Sequence, residues 1–349
     1  MTVVSPAKAG TETASAPPRR RTARRATGLV VSLGVLVAIA AASIAIGAKP
    51  IPLDQVWHGL FHYTGDNTDV VIRDVRLPRT ILGLLVGAGL GLAGAVIQAL
   101  TRNPLADPGL LGLNAGASAA VVSAISFFGV TSLTGYVWFA FLGTAVVAVL
   151  VYALGGSRSA TPVRLALAGM AVYAALYGYV NAVELLDTAA LDKMRFWTVG
   201  SLASANMSVV RQVAPFLLVG MVLAVALGRS LNAVALGDDT ARALGTNLNR
   251  TRALSMGAVT LLCGAATAAC GPIAFVGLIV PHLVRALTGP DMRWILPYAA
   301  VLSPVLLLGA DVIGRVITRP AELQVGVVTT FIGGPLFIYL VRRRRMAEL

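Results

Sequence analysis

Apolar runs of close to twenty residues recur along this chain, each bounded by Arg, Pro, Gly or Asp, and that rhythm leaves few folds open. About 20 helical residues cross the hydrocarbon of a bilayer. Hydrophobic residues make up 57% of the 349, charged ones only 12%, and the mean hydropathy is +0.80. Ordinary soluble domains do not look like this. The expected fold is an all-α integral membrane protein. A net charge of +13 would suit a nucleic-acid partner, yet the arginines sit at the edges of apolar runs, where they orient a membrane protein. No nucleic acid is expected.

Residues 1–27 read as a disordered basic tail of Ala, Thr, Ser, Pro and Arg. Ten spans follow, at about 28–48, 80–101, 110–129, 136–155, 163–184, 211–230, 253–271, 273–287, 294–313 and 325–341. The break within 253–287 rests on Gly271-Pro272 and on charge. An even count keeps both basic ends on one side, with 19 of the 28 Lys and Arg residues inside and 9 outside. The positive-inside rule therefore predicts ten helices with both termini cytoplasmic. In this topology Arg76, Arg79 and residues 185–210 and 314–324 lie outside, and NPLADPG, 156–162 and GDDTARALG lie inside.

The second span carries the clearest packing signal. Gly83, Gly87, Gly91 and Ala95 recur every four residues and form one ridge without bulky side chains. A ridge of small residues lets a second helix approach closely in lipid. On the fifth span Tyr173, Tyr177 and Asn181 also recur every four residues, so they share a face. Polar groups at membrane depth point into the bundle or line a water-filled path. Interhelical hydrogen bonding and pathway lining remain equally open on pattern alone.

Catalytic and metal motifs are missing. No GxxxxGK[ST] phosphate loop, HExxH or GxSxG occurs, so the chain has no ATP site of that kind. His58 and His62 stand four apart without a third ligand nearby, which argues against a metal site. Cys263 and Cys270 lie about 10 Å apart along a helix, too far for a disulfide. Gly237-Asp238-Asp239-Thr240-Ala241-Arg242-Ala243-Leu244-Gly245 reads as a short helix, with acids in its first turn, Ala241 and Leu244 as a small apolar face, and glycine at its end. Without catalytic residues it suits docking onto a partner, or it is a plain linker.

Taken in order, RLPR, NPLADPGLLG, GDDTARALG, GPIAFVGLIVPHLVR and AELQVG resemble the FecCD-type permeases of iron-siderophore ABC importers, which have the type II importer fold. The resemblance runs from about residue 28 to the C-terminus, making 28–345 one permease domain. Within the family, TRNPLADPGLLGLNAGAS is most similar to permeases for catecholate siderophores of the enterobactin type. ELQVG stands here where many members have ELPVG. The resemblance implies a second permease subunit, identical or related, two cytoplasmic subunits that bind ATP and Mg, and an extracytoplasmic siderophore-binding protein. It implies binding-protein docking at Arg76, Arg79 and Arg315, because an arginine fork holds a carboxylate in register. It further implies ATPase coupling through Gly237, Asp238, Asp239, Ala241, Arg242, Leu244 and Gly245. Asn103, Pro104 and Leu105 then form a cytoplasmic gate faced by the 156–162 loop, and Tyr173, Tyr177 and Asn181 line the path. The cargo would be a ferric siderophore crossing the bacterial cytoplasmic membrane, with cobalamin or haem as alternatives, and the chain itself would be no enzyme and hold no cofactor. An ion-coupled secondary transporter fits less well, since Glu184 and Asp311 lie near span ends rather than at the midplane.

Overall fold

The computed structural model describes residues 18–130, 132–155 and 162–342. Fifteen α-helices and no strand occur among them. In chain order they are α1 (Pro18–Ala45), α2 (Leu53–Phe61), α3 (Asn67–Val70), α4 (Leu77–Thr101) and α5 (Leu113–Phe128), then α6 (Leu133–Leu154), α7 (Pro162–Leu186) and α8 (Thr188–Trp197). There follow α9 (Met207–Ala226), α10 (Gly228–Ala235), α11 (Asp238–Ala243), α12 (Leu248–Cys270), α13 (Val276–Thr288), α14 (Met292–Ile317) and α15 (Val325–Arg342). A π-helical stretch, Val71–Arg76, runs directly into α4, and a 3-10 turn, Pro108–Leu111, precedes α5.

Seven helical stretches are long and apolar enough to cross a membrane, and three shorter apolar helices, 113–128, 276–288 and 325–339, run among them. The first helix starts at Pro18, ten residues before the expected boundary at Gly28. Proline suits a helix start, and Arg and Ala sustain a helix well, so the basic stretch is helical from there on. The loop of 156–161 lies outside the described residues, as do 1–17 and 343–349.

α4 is the centre of the bundle. It packs on α14, α12, α13 and α9, and most of it is buried. Its glycines explain how. A Cβ added at Gly87 would lie 2.6 Å from the Cα of Pro304 on α14, Gly83 faces Leu308, and Gly91 faces Ser303 and the carbonyl of Ala299. The small-residue ridge is therefore the α4–α14 seam, and Ala95 continues it, fully buried. A second close approach lies on another face, where Gly94 meets the backbone of Gly277 on α13. At such distances dispersion between many atom pairs replaces the hydrophobic drive that lipid does not supply.

The chain breaks after α12 at Gly271, with φ of 72° and extended ψ, and Phe275 turns the backbone again in a left-handed conformation, φ 69°, before α13 begins. Irregular backbone at membrane depth needs partners within the protein. The Cys270 carbonyl accepts from Ser201 N–H at 2.7 Å, and the Gly200 carbonyl accepts from Gly326 N–H at 3.0 Å. The turn after α8 thereby stitches the α12–α13 break to the start of α15.

Overpacking a core costs roughly 1–3 kcal/mol or more. Gly94→Val should therefore lower the thermal midpoint of the purified protein in detergent, or abolish its yield. Gly257→Ala, where an added Cβ meets nothing within 4 Å, should leave it unchanged. Equal behaviour of the two variants would refute the close-packing account.

Candidate functional site

Three clusters stand out, one at each end of α4 and one along a flank. α4 has 25 residues, so its ends lie about 37 Å apart at 1.5 Å per residue.

At the end where α1 finishes, arginines converge on the last carbonyls of that helix. A helix C-terminus leaves four C=O groups without intrahelical partners. Arg76 donates to the carbonyls of Ile44, Ala45 and Lys49 at 2.9, 2.7 and 2.5 Å. Arg315 donates to those of Ser43 and Ile46 at 2.9 and 3.0 Å, and Arg319 to that of Gly47 at 2.9 Å. Cations here also favour the negative end of the helix dipole. Beneath them Asp311, fully buried, pairs with Arg79 at 2.7 Å and with Arg315 at 2.9 Å, while Glu322 takes the remaining Arg79 nitrogen at 2.7 Å.

The arginines expected at the docking surface are held inside the protein. Arg76, Arg79 and Arg315 are only 4%, 5% and 1% exposed, and each guanidinium is committed inside the protein. They do not stand free on the surface to meet a partner's carboxylate. The reason is the α1 terminus, whose unpaired carbonyls and nearby Asp311 compete for the same donors. Arg319 and Glu322, both exposed, reach the surface instead. Neither they nor the structural role of Asp311 stood out in the sequence, because the acceptors are backbone groups contributed from far along the chain.

On the flank, Tyr173, Tyr177 and Asn181 of α7 do share a face. They line a groove of about 380 Å³ with Asn114, Ser118, Glu184, Thr198 and Pro272. A neighbouring hollow of about 650 Å³ reuses Asn114, Thr198 and Pro272 and extends to Phe331 and Pro335 on α15. The two tyrosine rings stack at 5.7 Å between centroids. The groove reaches the surface at Tyr173 and Tyr177, which are 45% and 54% exposed. The α12–α13 break contributes Pro272 to both hollows.

At the far end of α4, Arg102 ends the helix in a left-handed conformation, with φ at 51°. That turn aims its side chain at α10 and α11. Its Nε donates to the Val234 carbonyl at 2.9 Å, and Nη2 donates to the Asp238 carboxylate. Arg252 of α12 donates to the other Asp238 oxygen at 2.8 Å. Burial opposes the charge on Asp238, but the hydrogen bond and charge of Arg252, together with Arg102, outweigh it and hold the carboxyl below its ordinary range. A depressed folded-state pKa adds stability above the unfolded value, lost only as pH falls through the folded one, so the clamp stays ionised near neutrality.

The adjoining turn is self-capped. Asn103 Oδ1 accepts from Leu105 N–H at 2.9 Å, Asp107 Oδ1 accepts from Gly109 N–H at 2.7 Å, and Pro104 lies between them, with Asn103 exposed. In α11, Gly237 and Gly245 flank the helix with φ of 108° and 78°. Arg242 pairs with exposed Asp239 at 3.0 Å. Ala241 does not join Leu244 in an outward apolar face. It packs inward with Val234 and Leu248, while Leu244 is exposed, as is Leu236. The helix ends at Ala243, and Leu244 follows as its C-cap with non-helical backbone, so it does not share the side that Ala241 buries.

No group of three or more His, Cys, Asp or Glu side chains is placed to hold a metal ion among the described residues. His58 is paired with Asp69 at 3.5 Å instead.

A bundle with seven helices long and apolar enough to cross a membrane, a groove along one flank and a charge cluster at each end of its central helix has the build of a multi-pass membrane protein. A model of the FecCD transport family matches residues 35–343. The ferric enterobactin transport system permease protein FepD of Escherichia coli (strain K12) is 48% identical over 324 residues, which are 92% of this chain and 96% of that one. The Fe(3+)-citrate import system permease protein YfmD of Bacillus subtilis (strain 168) is 39% identical, over 94% of this chain and 98% of its own. Among solved structures, a metal-chelate type ABC transporter in an inward-facing conformation superposes with a TM-score of 0.79 at 30% identity, covering 94% of this chain and all of that one. The chain belongs to the FecCD transport family. It is a multi-pass protein of the cytoplasmic membrane and a permease without an ATPase site of its own.

Removing one partner of a buried ion pair leaves an uncompensated charge and costs roughly 3–5 kcal/mol. Asp311→Ala should lower the thermal midpoint strongly, because Arg79 and Arg315 both lose it. Thermal unfolding in detergent checks this, and an unchanged midpoint would show the pair to be idle.

Proposed function

We propose that this chain is the membrane permease of a binding-protein-dependent ABC importer that carries a ferric siderophore of the catecholate, enterobactin-like type into the cytoplasm. The observation that carries this reading is the similarity to the ferric enterobactin permease over nearly the whole of both chains. A second permease chain, identical or related, would close the open groove, with Tyr173, Tyr177 and Asn181 facing the path. In this arrangement α1, α4–α7, α9 and α12–α15 make ten crossings, and both basic ends lie inside.

The end holding Arg76, Arg79, Arg315 and Arg319 then faces outward. Four guanidiniums against the carboxylates of Asp311 and Glu322 leave a positive excess there. An acidic face of a siderophore-binding protein is attracted by that field. Arg76, Arg79 and Arg315 contribute from below the surface, and Arg319 with Glu322 forms the part a partner can touch.

At the cytoplasmic end two partner subunits bind ATP and Mg and seat on the 237–245 segment. Leu236 and Leu244 offer the apolar contact, with Gly237, Asp239, Arg242 and Gly245 around them. Asp238 and inward-packed Ala241 hold α11 to the bundle. Through Arg102 the same carboxylate grips the last turn of α4, next to Asn103, Pro104 and Leu105. A shift of α11 on ATP-driven closure thus pulls on the residues that gate the path.

Two experiments test this. Deleting the gene should abolish uptake of radio-iron-labelled ferric enterobactin while leaving other iron uptake intact, and the gene should restore it. Normal enterobactin uptake with loss of haem or cobalamin uptake would keep the transporter and replace its cargo. In the assembled complex, Asp238→Asn should keep the ATP-binding subunits bound and hydrolysing, yet lower uptake per ATP. A coupling contribution of roughly 0.5–2 kcal/mol corresponds to a loss of about 2- to 30-fold. Unaltered coupling would remove the clamp from the mechanism.

A further inference from the structure

The first helix after α1 has three unlike sides. α2 turns Val56 and Gly59 inward, against Ile72 and the Asp69 backbone. Asp54, Gln55, His58 and His62 fall together on a polar side. Between these lies a third side, where Leu53, Trp57 and Phe61 recur every four residues and are 73%, 63% and 63% exposed. The Trp57 and Phe61 rings touch, with centroids 4.3 Å apart, so this is one continuous apolar ridge. A helix at an ordinary protein surface has two sides, one buried and one wet. A third, apolar and uncovered, needs a neighbour that is neither protein core nor water.

Position identifies the neighbour. Only seven residues separate the end of α1 from the start of α2, so α2 lies where α1 leaves the bilayer. α1 is the most lipid-exposed of the long spans. Only 6% of its apolar stretch is buried, and Val30, Val31, Leu33 and Val37 all face outward. α2 also packs against α1. Tryptophan and its aromatic neighbours are the residues that settle at the headgroup level, where an apolar ring meets both acyl chain and water.

We infer that α2 is an interfacial helix that seats Leu53, Trp57 and Phe61 in the headgroup–acyl boundary of the bilayer, with its polar side toward water. The lipid surface is thereby a binding partner of this segment. Held this way, α2 sets the depth of the α1 terminus, whose carbonyls Arg76 and Arg315 grip.

The test places the full chain in lipid nanodiscs and takes the difference in fluorescence between the parent and Trp57→Phe, which isolates Trp57 from the other three tryptophans. Acyl chains brominated near the headgroup should remove most of the Trp57 emission, chains brominated near their tips should remove little, and aqueous iodide should have a weak effect. Strong iodide quenching with none from shallow bromines would overturn the proposal. So would a Trp57 signal that bromolipids leave alone and that blue-shifts only when a purified binding protein is added, since the ridge would then be a protein-docking surface. Leu53→Ser with Phe61→Ser supplies a second reading, because it should raise iodide access to Trp57 while the protein still elutes as a folded species.

Discussion

Lipid gives apolar helices no reason to leave it for one another, so this bundle depends on how closely α4 can be approached. Where an added Cβ at Gly87 would lie 2.6 Å from Pro304 Cα, no larger residue fits without moving a whole helix. Close contact on two faces, toward α14 and toward α13, makes α4 the rigid spine to which both charged ends are fastened. The other features inherit their positions from it. Arg79 leaves its first turn, Gln98 reaches the Leu278 carbonyl at 3.0 Å from its last, and Arg102 closes it.

The two ends use the same groups for different tasks. At one, guanidiniums satisfy carbonyls that α1 cannot satisfy itself, and a buried carboxylate neutralises part of the charge. That arrangement is tightly held, because Arg76, Arg79 and Arg315 are buried and bonded within the protein. At the other, a single carboxylate of α11 is shared by arginines from α4 and α12, partly in reach of water. Half-exposed ion pairs rearrange at low cost. The flank groove between them has neutral, aromatic and hydroxyl walls apart from Glu184.

How much of this was legible beforehand differs between backbone and side chains. Long apolar runs placed most spans within a few residues, and the four-residue spacing of Gly83, Gly87 and Gly91 identified a seam without naming its partner. The shared face of Tyr173, Tyr177 and Asn181 followed from helical geometry alone. By contrast, Arg76, Arg79 and Arg315 look like surface cations until the carbonyls of residues 43–49 and the carboxylate of Asp311 are brought to them. Ala241 and Leu244 are three apart and share a side of any ideal helix, yet packing against Val234 and Leu248 separates them. Local pattern speaks for local geometry, whereas the fate of a charge is decided by what the rest of the chain carries to it.

The Arg79–Asp311 pair joins residues 232 positions apart. At about 5–20 residues per second of synthesis, Arg79 emerges roughly ten to fifty seconds before its carboxylate exists. Throughout that interval the guanidinium has to stay solvated at the membrane boundary, and α4 cannot settle to its final depth until α14 arrives. A chain that stops short of α14 is left with unmatched cations among its early helices. The insertion machinery and the proteases that patrol the membrane can recognise such a chain as unfinished by charge alone.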